Sequence, residues 1–287
     1  MRRRTPLTAA ACLAVLAVSA PAPAFAHSAP IDEYVALGDS SVAGPLIPDW
    51  DTGEPGCLRS TNNWAVEVAD ELGVANLTDV SCSAATAEHM ANPQSLPLGG
   101  SAPPQFDALS DTTDLVTTTI GGNDVGLVGE ALKCVNLLPE PAGQSCKDRL
   151  TSGGVDQLAA KIDAFEPAFG EMLDGIREHA PNARVVVVGY GTYIQPGGCY
   201  PETPVWSRDA DYLQDTIGRL DDMMARQSAE HGVEFIDIRE ATKGRNLCAP
   251  TGTRWYESLI PTSPATPLHP NRIGMTGIGE AVAAELR

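Results

Sequence analysis

The amino-acid sequence predicts an α/β fold, a five-stranded, mostly parallel sheet with helices on both faces. Short β-rich runs alternate with longer helical patterns along the chain, the arrangement that produces parallel sheets. One run, Arg184-Val-Val-Val-Val-Gly189, is nearly continuous in β-branched residues, the signature of a strand covered on both faces. The chain is long enough to cover such a sheet. Its 287 residues are 43% hydrophobic and 20% charged, an ordinary globular composition that excludes collagen-like, coiled-coil and disordered readings.

Residues 1–26 stand apart from that fold. Arg2, Arg3 and Arg4 form a positive n-region, Leu7 to Ala20 is apolar, and Ala24-Phe25-Ala26 is a small-x-small cleavage site. This is the pattern of a signal peptide, and the apolar run is shorter than the ~20 residues of a membrane span. Residues 27–287 then form a single domain beginning at His27. Its first strand is Glu33–Leu37, and Thr61 is expected to cap a helix over Asn62–Leu72. Strands Leu77–Ser81 and Asp114–Ile120 follow. Apolar residues at helical spacing predict a helix over Val155–His179, kinked at Pro167. After the strand Arg184–Tyr190 comes a long amphipathic helix, Arg208–His231, stopped by Gly232. A fifth strand, Val233–Ile238, and a helix, Gly277–Leu286, close the chain. No internal repeat or low-complexity linker interrupts it.

Lys and Arg number 19 against 37 Asp and Glu, a formal charge of −18. Loss of the leader removes three arginines and no acid, which takes −18 to −21. Such a surface repels nucleic acid and anionic head groups, so no nucleic-acid partner is expected. No later run is long and apolar enough to span a bilayer, and the product is expected to be a secreted, soluble monomer. Cys12 leaves with the leader. The six remaining cysteines, an even count in an exported chain, read as three disulfides among 15 possible connectivities. No C-x-x-C pair or tight Cys/His cluster exists, and Asp49, Asp51 and Gly53 lack the other ligands of a calcium loop, so no metal is expected.

In open parallel sheets the working site lies beyond the carboxyl ends of the strands. Those ends carry Gly38-Asp39-Ser40-Ser41, Cys82-Ser83-Ala84-Ala85-Thr86, Gly121-Gly122-Asn123-Asp124 and Gly191-Thr192-Tyr193. Past the fifth strand a long loop leads to His269-Pro270-Asn271. A hydroxyl, an amide donor and an imidazole thus share one edge, the inventory for acyl transfer. Either Gly-Asp-Ser or Gly-Gly-Asn-Asp alone would be explained as a turn, and Ser41 is a rival to Ser40. Elimination favours His269. His179 and His231 sit in last helical turns where a cation suits the dipole, His89 has no obvious partner, and nothing in a proline-rich loop demands an imidazole. The G-x-S-x-G elbow and the glycine-rich phosphate loops are absent, so no cofactor is expected.

Together these blocks resemble the SGNH (GDSL) hydrolases, in particular the secreted actinomycete lipases and esterases. The resemblance rests on Tyr34-Val-Ala-Leu-Gly-Asp-Ser-Ser41, Arg59-Ser60 with Asn62-Asn63-Trp64, Cys82-Ser-Ala-Ala-Thr86, Gly121-Gly-Asn-Asp124 and His269-Pro-Asn271. It implies a three-layer α/β/α sandwich of flavodoxin-like topology, Ser40 as nucleophile and His269 as general base. It also implies an oxyanion hole from the N–H groups of Ser40 and Ala84 and the side chain of Asn123. Two positions depart from the pattern. Ala84 stands where the family usually has Gly, and Thr266 stands where it often has Asp, three residues before the histidine.

The expected activity is therefore hydrolysis of carboxylic esters, with acyl lipids as substrate. A carbohydrate deacetylase or phospholipase within the same fold, or a non-catalytic lipid- or glycan-binding protein, is the alternative. Apolar residues after the nucleophile, Val42 to Pro48 with Trp50, and Leu127 and Val128 after the Asn123 block, are candidates for an acyl groove or for loop anchors. With no Asp at 266, the acceptor behind His269 is expected to be the main-chain carbonyl of Thr266 or Pro267, because Glu257 and Asp237 are not adjacent by local geometry. The disulfides are expected to pair in order: strand neighbours bring Cys57 to Cys82 and Cys199 to Cys248, and Cys134 and Cys146 close one short loop.

Overall fold

The computed structural model describes residues 30–97 and 99–287; the expected leader, Cys12 and His27 lie outside the described residues. Strand β1 (Glu33–Gly38) lies inside the sheet and is followed by β2 (Asn76–Asp79), the edge strand beside it. Two short strands, β3 (Gln94–Ser95) and β4 (Ser101–Ala102), form a separate antiparallel ribbon. The chain then returns to the other side of β1 with β5 (Leu115–Thr119), β6 (Arg184–Val188) and β7 (Glu234–Ile236). The order β2-β1-β5-β6-β7 is parallel at every pairing. Its direction reverses between β1 and β5, where Gly38 pairs with Thr119. That reversal is the switch point at which doubly wound sheets leave a crevice.

Alternating side chains divide the core. Tyr34 and Ala36 of β1 pack with α2 (Trp64–Leu72) and α9 (Arg272–Leu286), through Trp64, Val68, Met275 and Val282. Val35 and Leu37 point the other way, toward α6 (Gln157–His179) and α7 (Ser207–Glu230), through Phe169, Leu173, Leu220 and Met224. The result is a three-layer α/β/α sandwich. The remaining helices are short: α1 (Ser40–Ala43), α3 (Glu88–Ala91), α4 (Leu127–Leu132), α5 (Cys146–Leu150) and α8 (Arg239–Thr242).

Several boundaries differ from the sequence reading. Asn63, not Thr61, caps α2, because its side-chain oxygen accepts from the N–H groups of Ala65 and Val66, while Thr61 bonds back to the Asp49 carbonyl. Helix α6 passes through Pro167 without ending. Helix α9 begins at Arg272, five residues before the expected start, capped by Asn271. Its glycines conceal that start. A Cβ on Gly277 would lie 2.1 Å from the Trp255 ring, so close packing rather than flexibility requires glycine there.

The disulfides pair Cys57 with Cys82, Cys134 with Cys146, and Cys199 with Cys248. Among the described residues no helix is long and apolar enough to cross a membrane.

Candidate active site

Gly38 ends β1 at φ +137°, and a Cβ there would meet the Thr119 carbonyl at 2.6 Å, so the chain can turn away from β5 only with glycine at this point. Asp39 follows, 2% exposed. Its Oδ1 accepts from the Ser41 N–H at 2.7 Å and so caps α1, which makes Ser40 the first helical residue. The Ser40 main-chain N–H donates to no acceptor among the described residues. Ser41 is differently placed. Its carbonyl accepts from the Trp64 indole and its hydroxyl does not meet the imidazole.

His269 reaches this turn from the loop ahead of α9. Its Nε2 lies 2.8 Å from Ser40 Oγ, and its Nδ1 lies 2.8 Å from the Pro267 carbonyl. A carbonyl can only accept, so Nδ1 carries the proton and Nε2 presents its lone pair to the serine hydroxyl. The Thr266 carbonyl is not on the ring; it takes the main-chain N–H of His269 at 3.2 Å. Leu268, at φ +63°, turns the chain between them. Burial pushes the imidazole below its ordinary pKa, partly offset by the Pro267 carbonyl, which keeps it neutral and basic near neutral pH.

Glu257 holds the loop rather than the ring. Its carboxylate accepts from the Thr262 N–H at 2.7 Å and from the Asn271 amide at 2.7 Å, and its main-chain N–H donates to the His269 carbonyl. Burial opposes its ionisation, but those donors outweigh it and hold the carboxyl below the usual range. Asp237 pairs with Arg239 at 2.6 Å.

Asn123 stands after β5. Its Nδ2 donates to the Ala85 carbonyl at 2.8 Å, which fixes the amide beside the Ala84 turn and leaves its second N–H uncommitted. Ala84 adopts φ +65°, the left-handed region a Cβ tolerates at a cost of roughly 1–2 kcal/mol. Its N–H, like that of Ser40, has no acceptor among the described residues. Asp124 binds the same turn through the Ala87 N–H at 3.0 Å, and burial pushes its carboxyl up to about 6.

Two residues of this edge escaped the sequence reading. Tyr190, 5% exposed, accepts from the Gly122 N–H at 2.7 Å and donates to Asp39 Oδ2 at 2.7 Å. Gln105 is buried and clamps Gly38 from both sides, accepting from its N–H at 2.7 Å and donating to its carbonyl at 2.9 Å. Tyr190 carried one signal, its place at a strand end; Gln105 carried none. The other described histidines have local partners: His89 with the Thr86 N–H, His179 with the Gly175 carbonyl, and His231 with Asp174.

Beside Ser40 opens a small pocket whose accessible walls are almost wholly apolar, with Leu127, Val128, Ile194, Leu213, Leu247 and Leu268 among them. Leu127 and Val128 thus belong to a groove. The apolar run after the nucleophile does not: Val42 and Ile47 are buried in the core and Trp50 is 56% exposed. Among the described residues no cluster of His, Cys, Asp and Glu has the makings of a metal site.

Residues 36–276 match the model of the GDSL-like lipase/acylhydrolase family. Lipase 2 of Streptomyces coelicolor is 37% identical over 269 residues, 90% of this chain and 88% of its own. The extracellular lipase of Streptomyces rimosus superimposes with a TM-score of 0.73 at 25% identity, covering 88% of this chain and 99% of that one. Phospholipase A1 from Streptomyces albidoflavus NA297 gives 0.72 at 26% identity, covering 89% and 99%. A match across the sheet, the Ser40 turn and the His269 loop leaves one assignment: the chain belongs to the GDSL-like lipase/acylhydrolase family and is an ester hydrolase.

Proposed function

We propose that this protein is a secreted hydrolase of acyl lipid esters that works through a Ser40–His269 dyad. The observation that carries the reading is the 2.8 Å contact of Ser40 Oγ with His269 Nε2, backed by a second 2.8 Å bond from Nδ1 to the Pro267 carbonyl. Ser40 Oγ attacks the ester carbonyl carbon as its proton passes to His269 Nε2. The tetrahedral oxyanion takes N–H donors from Ser40, Ala84 and Asn123. As it collapses, His269 returns the proton to the leaving alcohol, and an acyl-serine remains. Water then attacks with His269 as base, and the acid departs. The aliphatic pocket beside Ser40 suits the acyl chain. The names of the relatives, lipase and phospholipase A1, agree with a lipid substrate. Pairing of all six described cysteines suits export, and a site complete within one chain suits a monomer.

An organophosphate should label Ser40 stoichiometrically, read by peptide mass spectrometry. Ser40→Ala should abolish the label, and Ser40→Ala and His269→Ala should each nearly abolish kcat. A folded protein that takes no label would be a binder of lipid or glycan instead. Chromogenic esters of rising chain length, run beside triglyceride, phospholipid and acetylated-sugar substrates, separate lipase, phospholipase and deacetylase.

A further inference from the structure

We infer that Tyr190 is a positioning residue for the hydrolysis, locking the nucleophile turn after β1 and the oxyanion turn after β5 into one unit. The inference rests on the Ser40 reading above.

The hydroxyl links the two turns through a side chain whose bonds have a fixed direction, beside the main-chain bond from the Asp39 N–H to the Thr119 carbonyl. Gly122 N–H can only donate, so the Tyr190 oxygen accepts it, and the phenol's single proton is left for Asp39 Oδ2. Burial and the neighbouring Asp39 carboxylate keep that phenol protonated. Asp39 in turn spends its other oxygen on the Ser41 N–H, one residue past the nucleophile. The chain of bonds thus runs Gly122 to Tyr190 to Asp39, with Asn123 adjacent to its first member and Ser40 adjacent to its last.

Tyr190 is itself tied down at its main chain. Its N–H donates to Asp221 Oδ1 at 2.8 Å, and its carbonyl accepts from the Tyr256 hydroxyl at 3.0 Å. Gly122 lies so close that a Cβ there would sit 3.0 Å from the phenolic oxygen. With both of its bonds used internally, the hydroxyl has no role on substrate; it acts through the peptides it holds. Oxyanion donors must match the position the charge will occupy to a fraction of an ångström, so loosening the turns penalises the transition state more than substrate binding.

The test is Tyr190→Phe in the full-length protein, with a soluble chromogenic butyrate ester as substrate. The phenyl ring still lines the pocket, but a buried N–H and a buried carboxylate oxygen lose their partners. The expected result is a fall in kcat of about tenfold to a hundredfold with KM within about threefold, and an equal fall in the rate of organophosphate labelling at Ser40. A folded variant that keeps kcat within about twofold, or that changes KM alone, would overturn the inference. Asp39→Asn reads the same bond from its other end, and serves if Tyr190→Phe does not fold. The carboxamide can keep the cap on Ser41 but then presents N–H to an oxygen that already accepts one. A kcat loss of about tenfold or more is expected despite near-identical shape, and retention within about twofold would again overturn the inference. Label appearing at a residue other than Ser40 in the wild-type protein would instead defeat the dyad reading.

Discussion

At His269 the imidazole leans on a neutral acceptor. The Pro267 carbonyl fixes the tautomer as a carboxylate would, but it brings no full negative charge to the imidazolium that forms during turnover. In the proposed dyad Asp237 and Glu257 have no direct part in the chemistry. Asp237→Asn and Thr266→Ala should leave kcat within about tenfold, less than ~1.4 kcal/mol of transition-state stabilisation. Glu257→Gln should leave kcat in the same range while lowering Tm, because an amide N–H then faces a Thr262 or Asn271 donor, at a cost of ~1–3 kcal/mol. Steady-state kinetics with thermal melts checks both. A thousandfold loss of kcat in either folded carboxamide variant would reveal a true triad.

Among the elements, α4 is the least anchored wall of the site. None of its residues is buried, and its N-cap is Gly126 with no side-chain bond, yet Leu127, Val128 and Ala131 face the pocket. Val128→Trp should fill the groove without disturbing the core. Its kcat/KM for a decanoate ester should fall about tenfold or more, against a change within about threefold for a butyrate ester. Equal effects on both esters would mean that α4 does not bound the acyl chain. The strands were the legible part of this architecture, because β-branched runs such as Val185–Val188 announce a strand buried on both faces. The start of α9 was hidden by glycines chosen for Trp255, and the two-residue strands of the β3–β4 ribbon are too short for any periodicity. Ser40, Asn123 and His269 were legible as strand-end motifs. The Tyr190–Asp39 bond was not, since it joins residues 151 positions apart and only the folded sheet edge brings them together.

Over the whole molecule, buried acids set the dependence of stability on pH. Burial pushes Asp39 and Asp124 up to about 6 and Asp221 up to about 7. Each native carboxyl binds its proton more tightly than the unfolded chain does, so each contribution weakens as pH rises from ~4 through 6–7. His269, held below its ordinary value, acts in the opposite direction, losing stability as pH falls below ~6.5, but it opposes those three acids together with Asp79 and Glu67, whose carboxyls burial also raises. The formal charge of −18 also repels itself less on acidification. Calorimetry should therefore give a higher Tm at about pH 5.5 than at about pH 8, while activity falls below about 6 as Asp39 and His269 take up protons. A lower Tm at the acidic value would contradict the burial of these acids. The disulfides act on a different part of the same molecule. Each joins loops or short helices at the catalytic edge, and none staples a strand of the sheet. Thiol reduction would thus loosen the surroundings of the pocket, and because each bridge also constrains the unfolded chain by typically ~2–4 kcal/mol, it would weaken the whole fold as well. An oxidising environment therefore protects the fold and the lining of the site together.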